Sequence, residues 1–143
     1  MEYIERKEYF KVCLVRVQAD EYVILKGPEE EKRLTKVLRS DYNFTKYEKM
    51  LRLLAEEVVQ QEYRKEFYSI FSTENILGEF EKGRYVVEYS YMRNVGRQQK
   101  MVTTRVYPRM MQGGAVEEFM VYVVCHEEGC KCGIENAEEN GGL

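Results

Sequence analysis

Apolar side chains recur along this chain at two different spacings, and the change of spacing divides it into three parts. Residues 9–17 and 21–26 are rich in Val, Ile, Leu, Tyr and Phe and read as two strands of a hairpin, joined by the polar stretch around Gln18 to Glu21. Gly27-Pro28 ends the second strand, because proline fixes its own φ and brings no N–H for further pairing. From Glu29 to Lys82 the period lengthens to three or four with no internal proline, which predicts helix with breaks. Tyr47, Met50, Leu51, Leu54 and Val58 fall on one stripe. Tyr63, Phe67, Ile70 and Phe71 fall on a second stripe of different phase, so two helices meet near Val59 to Gln61.

Local signals mark where these helices begin and end. Thr45-Lys46-Tyr47-Glu48 fits a capping box, in which the Thr45 hydroxyl serves the Glu48 amide and the Glu48 carboxylate reaches back. Ser72 can cap a third, short helix carrying Ile76, Leu77 and Phe80, which Gly83 closes. The last third returns to period two, with strands expected at 84–92, 100–110 and 115–125. Their links, Arg93 to Gln99 with Asn94 and Gly96, then Gln112-Gly113-Gly114, are turn chemistry. Pro108 within the second of these strands calls for a bulge or an unpaired edge. Two strands, a helical middle and three more strands predict an α+β fold in which one antiparallel sheet carries its helices on one face.

Composition adds that this is one domain. The chain has 143 residues, 44% hydrophobic and 33% charged, enough for a single core. Residues 1–127 are read as that domain, and 128–143 as an acidic, disordered tail. The longest apolar run, Phe119 to Cys125, is far below the roughly 20 residues of a bilayer-spanning helix, so no membrane segment is expected. Of 22 basic and 25 acidic residues, five acids and one lysine stand in 127–143, leaving the rest near neutrality with signs interleaved. Nothing resembles a basic stripe for nucleic acid.

Candidate chemistry is sparse. Cys125, His126, Cys130 and Cys132 gather soft ligands within eight residues. Their spacing lacks the C-x2-C knuckle and second pair of a structural zinc site, and a flexible tail that contains thiols is the competing reading. Four cysteines are too few for a disulfide scaffold in a chain of this length, which points to a cytoplasmic protein. No glycine-rich phosphate loop stands between a strand and a helix. His126, the only histidine, sits beside the tail and is a poor catalytic base. Glu56 and Glu57 are adjacent and diverge on a helix, and Cys13 reads as a buried thiol. No haem or flavin motif is evident, so the cofactor is unknown and no catalytic residue is assigned. Aromatics are plentiful, with 12 tyrosines and 6 phenylalanines. Tyr85, Val87, Tyr89 and Tyr91 alternate along one strand, where they can line a pocket or cover the sheet at an interface.

The order of elements resembles the PAS fold, the sensory module found ahead of diguanylate cyclases and histidine kinases in bacterial signalling proteins. Tyr9 to Val17 is similar to its opening strand. Val59 to Phe67 lies where members often carry a His-Pro-Glu-Asp-Arg turn. Val87-Glu88-Tyr89 followed by Arg93-Asn94-Val95-Gly96 looks like its Glu-Tyr-Arg strand and Asp-Gly hairpin, and Val116 to Val124 resembles its final strand. The helical turn lacks the family's proline, and Cys125-His126-Glu127 stands in place of its Asp-Ile-(Asp/Thr) signature. The resemblance implies a non-catalytic sensory or regulatory domain that binds a small molecule or a protein partner, a homodimer, and an effector domain in a longer protein. Positions expected to face the helices, and so a ligand, are Val15, Val17, Tyr89, Val102, Thr104, Val121 and Val123. The competing classes are a structural dimerisation module with a filled core, and a small cone-shaped α+β enzyme, which requires a carboxylate of raised pKa at the base of an open cavity.

Overall fold

The computed structural model describes residues 9–27, 46–126, 138–139 and 141–142. Strands β1 (Tyr9–Arg16) and β2 (Glu21–Lys26) come first. Helices α1 (Tyr47–Glu57), α2 (Gln61–Phe71) and α3 (Thr73–Glu81) follow, then strands β3 (Val87–Val95), β4 (Gln98–Gln112) and β5 (Ala115–Cys125). The strands form one five-stranded sheet in the order β2-β1-β5-β4-β3, with every neighbouring pair antiparallel. The chain therefore enters the sheet beside one edge and turns back along that edge. After the helices it re-enters at the far edge and works inward to pair β5 with β1. This is the α+β arrangement expected from the change of spacing. Of the expected tail, only Glu138–Glu139 and Gly141–Gly142 are described, as a separate two-residue pairing.

Strand ends differ from the sequence reading in instructive places. β1 stops at Arg16 and Val17 opens the turn. The β3–β4 hairpin is tighter than expected, because Val95 pairs with Gln98 and only Gly96 and Arg97 remain in the turn. Polar side chains at Arg93, Asn94 and Gln99 suggested a loop, yet they do not interrupt a backbone ladder. Gly96 at φ 64° gives the left-handed conformation that a two-residue hairpin turn needs. β3 begins only at Val87, so Tyr85, 74% exposed, precedes the strand and does not join its alternating aromatic face. Pro108 lies beyond Val106, the last β4 residue paired with β3. The register against β5 shifts immediately after it, which is the edge position and bulge that proline demands.

The helix boundaries follow the two stripes, but α1 is held at its start by a different device. The capping box does not form from Glu48: its amide donates to Asp20 Oδ1 at 3.3 Å, and its carboxylate accepts from Tyr68 Oη at 3.0 Å and from the Thr73 amide at 2.9 Å. Thr45 lies outside the described residues. Asp20, at φ 55° in the β1–β2 turn, also accepts the Tyr47 amide on its own carbonyl at 2.8 Å. One turn residue thus satisfies two of the donors that a helix start leaves open. Ser72 caps α3 as expected, accepting the Asn75 amide at 3.3 Å, and Gly83 at φ 100° follows the helix.

The core joins sheet to helices. Val15, Tyr91, Val102, Val106, Phe119 and Val121 are buried with Met50, Leu51, Leu54, Phe67, Phe71 and Ile76 in one cluster. Edge-on ring contacts hold it in depth: Tyr47 with Phe119 at 5.6 Å and Phe67 with Tyr91 at 4.9 Å, each an arrangement that favours the aromatic quadrupole.

Candidate functional site

Packing between the sheet and α1–α2 leaves a cavity of about 50 Å³. Met50, Leu51 and Leu54 of α1, Val58 and Val59 of the α1–α2 junction, and Phe67 and Phe71 of α2 form its helical wall. The sheet contributes Lys11, Cys13, Tyr22, Tyr91, Arg93, Thr104, Val121 and Val123. The wall is mostly apolar, as ligand cavities generally are. No carboxylate lines it among the described residues, whereas two cations do.

Lys11 reaches this wall by plain alternation with Cys13 and Val15; the irregularity of β1 lies one residue earlier. Tyr9 pairs with Val124 and Lys11 with Val123, so the register shifts between them and Phe10 is the extra residue. A bulge of this kind breaks strict alternation and lets two successive side chains take the same side. Phe10 belongs to the core cluster and Lys11 to the cavity wall, at 1% and 6% exposure. Arg93, 2% exposed, is positioned from the helical side. The α1–α2 junction is stitched to β3 on both sides of it: the Gln60 amide donates to the Met92 carbonyl at 3.0 Å, and the Asn94 amide to the Val58 carbonyl at 2.8 Å. Val59 and Arg93 form the bridge between them. Arg93 Nε donates to the Asn94 carbonyl at 2.8 Å, and its guanidinium carbon stands 4.9 Å from the Phe10 ring centre.

Buried hydroxyls complete the polar part of the wall. Tyr91 and Thr104 share a hydrogen bond of 2.7 Å, and the Tyr47 hydroxyl donates to the Phe71 carbonyl at 2.7 Å. Burial pushes the Tyr47 phenol well above its ordinary pKa, with the neighbouring Glu48 charge adding to the effect. Tyr47 is therefore a neutral donor throughout the physiological range.

Of the positions read from the sequence, Thr104, Val121 and Val123 line the cavity. Val15 and Val102 are core residues outside its lining, and Val17 packs against the core from the turn. Tyr89 is half-buried. It donates to Glu66 Oε1 at 2.6 Å, and its phenol is raised first by burial and then by this bond. Lys11 and Arg93 were not anticipated. Lys11 lies on the face of Cys13 and Val15, but a charged side chain argues against a core position, and Arg93 looked like a loop residue.

The thiol-rich segment is only partly described. His126 Nε2 is 2.6 Å from Thr103 Oγ1, which in turn lies 2.7 Å from Ser90 Oγ. Cys125 is disulfide-bonded, Cys13 is free and buried, and Cys130 and Cys132 lie outside the described residues. Among the described residues no group of three metal-ligating side chains is found, and no helix is long and apolar enough to cross a membrane.

Sheet order and cavity together define an α+β domain with a small space between its two layers. No family model matches the sequence, and no curated protein matches it. A solved structure described as "Flavin Analogue Sheds Light on Light-Oxygen-Voltage Domain Mechanism" is similar over 89% of this chain and 84% of that chain, at 10% identity and a TM-score of 0.45. The assignment of fold rests on this chain's own strand order and register.

Proposed function

We propose that this chain is a non-catalytic regulatory domain of the PAS type, working in bacterial signal transduction, whose small ligand occupies the cavity between sheet and helices. The observation that carries the reading is the cavity itself, walled by both layers and containing two buried cations. A ligand there touches elements that are mechanically joined. Leu54 and Val58 lead directly into the junction stitched to β3, and the start of α1 is tied to the β1–β2 turn through Asp20. A molecule that binds one packing of α1 against the sheet better than another shifts the balance between them. An effector domain in a longer protein would read that shift. A wall without carboxylates among the described residues speaks against the cone-shaped enzyme reading.

A second reading has its own support. The Tyr9, Tyr122 and Tyr107 rings run across β1, β5 and β4 at 4.7 and 5.8 Å, and Val23 and Leu25 on β2 are exposed. The exposed Val23 and Leu25 suit a homodimer, and a cavity of about 50 Å³ is small beside the roughly 300–1,000 Å³ of drug-sized sites. Both are features of a dimerisation module.

Thermal denaturation against a panel of neutral and charged molecules of up to about six heavy atoms separates the two, since a ligand at 100 times its Kd adds about 2.7 kcal/mol of stability. The regulatory reading expects at least one molecule to raise the midpoint, and the cavity-narrowing variant Val123→Ile to abolish that rise. A panel that leaves the midpoint unmoved, with a dimer in sedimentation, would establish the dimerisation module instead.

A further inference from the structure

We infer that the cavity ligand is an uncharged short-chain hydrocarbon, an alkane or alkene of about four carbon atoms, held by dispersion contacts with Leu51, Leu54, Phe67, Val121 and Val123 and by no hydrogen bond. The inference rests on the reading of the cavity as a ligand site and names the ligand's chemistry.

Three observations converge on it. The first is that the polar side chains of the wall are already engaged by the protein. The Tyr47 hydroxyl donates to the Phe71 carbonyl at 2.7 Å, and Tyr91 and Thr104 share a hydrogen bond of 2.7 Å. Arg93 Nε donates to the Asn94 carbonyl at 2.8 Å, and its guanidinium stands over the Phe10 ring. Lys11, Cys13 and Tyr22 are engaged as well, each in a hydrogen-bonding, ionic, ring or electrostatic interaction of its own. A charged or hydrogen-bonding ligand would exchange its hydration for groups committed elsewhere, and a buried polar group left unmatched is costly. A hydrocarbon gives up no such hydration.

The second observation is size. A water-sized probe takes about 10–15 Å³ of such volume, so about 50 Å³ admits about four heavy atoms, the number in isobutene. Nucleotides, ring cofactors and long acyl chains exceed it. The third is the carbon surface of the wall. Leu51 and Leu54 from α1, Phe67 from α2, and Val121 and Val123 from β5 border the space from both layers. Side chains beside an unfilled space lack dispersion partners on that side, and a compact apolar molecule supplies them. Water, which needs two to four polar partners, is a poor occupant of such a wall, whereas apolar cavities in protein cores take hydrocarbons and xenon.

The test compares isobutene with acetone and acetate, which share its Y shape and heavy-atom count and differ in the oxygen they carry. The chain, labelled at leucine and valine methyl groups, is titrated with each at neutral pH and matched ionic strength, isobutene being supplied as gas over the solution. The expected result is that isobutene shifts the methyl groups of Leu51, Leu54, Val121 and Val123 together and binds roughly tenfold or more tightly than acetone, while acetate leaves them in place. Val123→Ile should weaken isobutene roughly tenfold or more, and an unchanged affinity in that variant would place the molecule elsewhere and overturn the inference. The comparison of the three molecules on the unaltered chain requires no variant to fold. Acetone or acetate binding at those residues as tightly as isobutene would overturn the hydrocarbon inference while leaving the cavity a ligand site. Isobutene shifts confined to the exposed Val23 and Leu25, or none, would overturn it as well, and the wider panel above then decides whether the cavity binds anything.

Discussion

The guanidinium carbon of Arg93 lies 4.9 Å from the centre of the Phe10 ring, two residues brought together by an extra residue in β1 and a helix junction pinned to β3. The ring offers its negative face to a cation that is almost wholly out of water, where such contacts are worth the most. Phe10→Leu removes that face and leaves a smaller side chain at a site with 1% exposure. A loss of about 2 kcal/mol is expected from the cation–π term and the incomplete refilling together. Urea unfolding monitored by circular dichroism checks it. A change within about 0.5 kcal/mol, the range of neutral surface substitutions, would mean that Arg93 does not depend on the ring.

Tyr47 links α1 to the end of α2 through its hydroxyl on the Phe71 carbonyl. Tyr47→Phe keeps the ring against Phe119 and deletes only the donor, leaving a buried carbonyl with one partner fewer. The expected cost is about 1–2 kcal/mol, visible as a lower urea midpoint with an unchanged slope.

Ser72 ends α2 and begins α3, and its side chain accepts the Asn75 amide. Ser72→Ala should cost about 1 kcal/mol and Ser72→Asp should cost little, since aspartate supplies the same acceptor. Equal losses in the two variants would show that the Ser69 carbonyl contact of the hydroxyl, and not the cap, is what matters.

Asp20 supplies a pH dependence. Burial is the largest influence on its carboxyl and raises its pKa above the ordinary value of 3.8, against the lowering effect of the bond from the Glu48 amide. The folded state therefore holds this proton to higher pH than the unfolded state does. Its favourable contribution is present at low pH and is lost as pH rises through the folded pKa. Asp20→Asn retains an oxygen acceptor and a residue tolerant of positive φ, without the partly buried charge. The variant should be the more stable of the two at pH 7, with the advantage shrinking as pH falls below about 4. Thermal midpoints of both proteins from pH 3 to pH 7 measure it, and a constant difference across the range would refute the assignment.

Much of the fold is legible in the residues because its signals are local. The stripe from Tyr47 to Val58, the phase change at Val59 to Gln61 and the Ser72 cap mark three helices within a residue or two. Gly96, the Gly113-Gly114 pair and Pro108 mark the turns and the bulge of the last three strands. What is not legible is whatever depends on distant partners. Glu48 looks like half of a capping box until Asp20, 28 residues earlier, takes its amide and Tyr68 and Thr73 take its carboxylate. The cavity residues divide the same way. Thr104, Val121 and Val123 follow from alternation, and Lys11 shares a face with Cys13 and Val15 in the same way, but its charge argues for the surface. Arg93 owes its burial to a junction some 34 residues upstream. Charged residues at the core of a site are the ones that pattern reading assigns to the surface.

Methyl NMR of the leucine- and valine-labelled chain, titrated with the panel molecule that raises the thermal midpoint most, asks most directly whether the space between sheet and helices is a ligand site. Leu51, Leu54, Val58, Val121 and Val123 should shift together along one binding curve, while the exposed Val23 and Leu25 on β2 stay in place. Shifts confined to Val23 and Leu25, or a spectrum that does not respond to any molecule of the panel, would contradict a ligand site in that space.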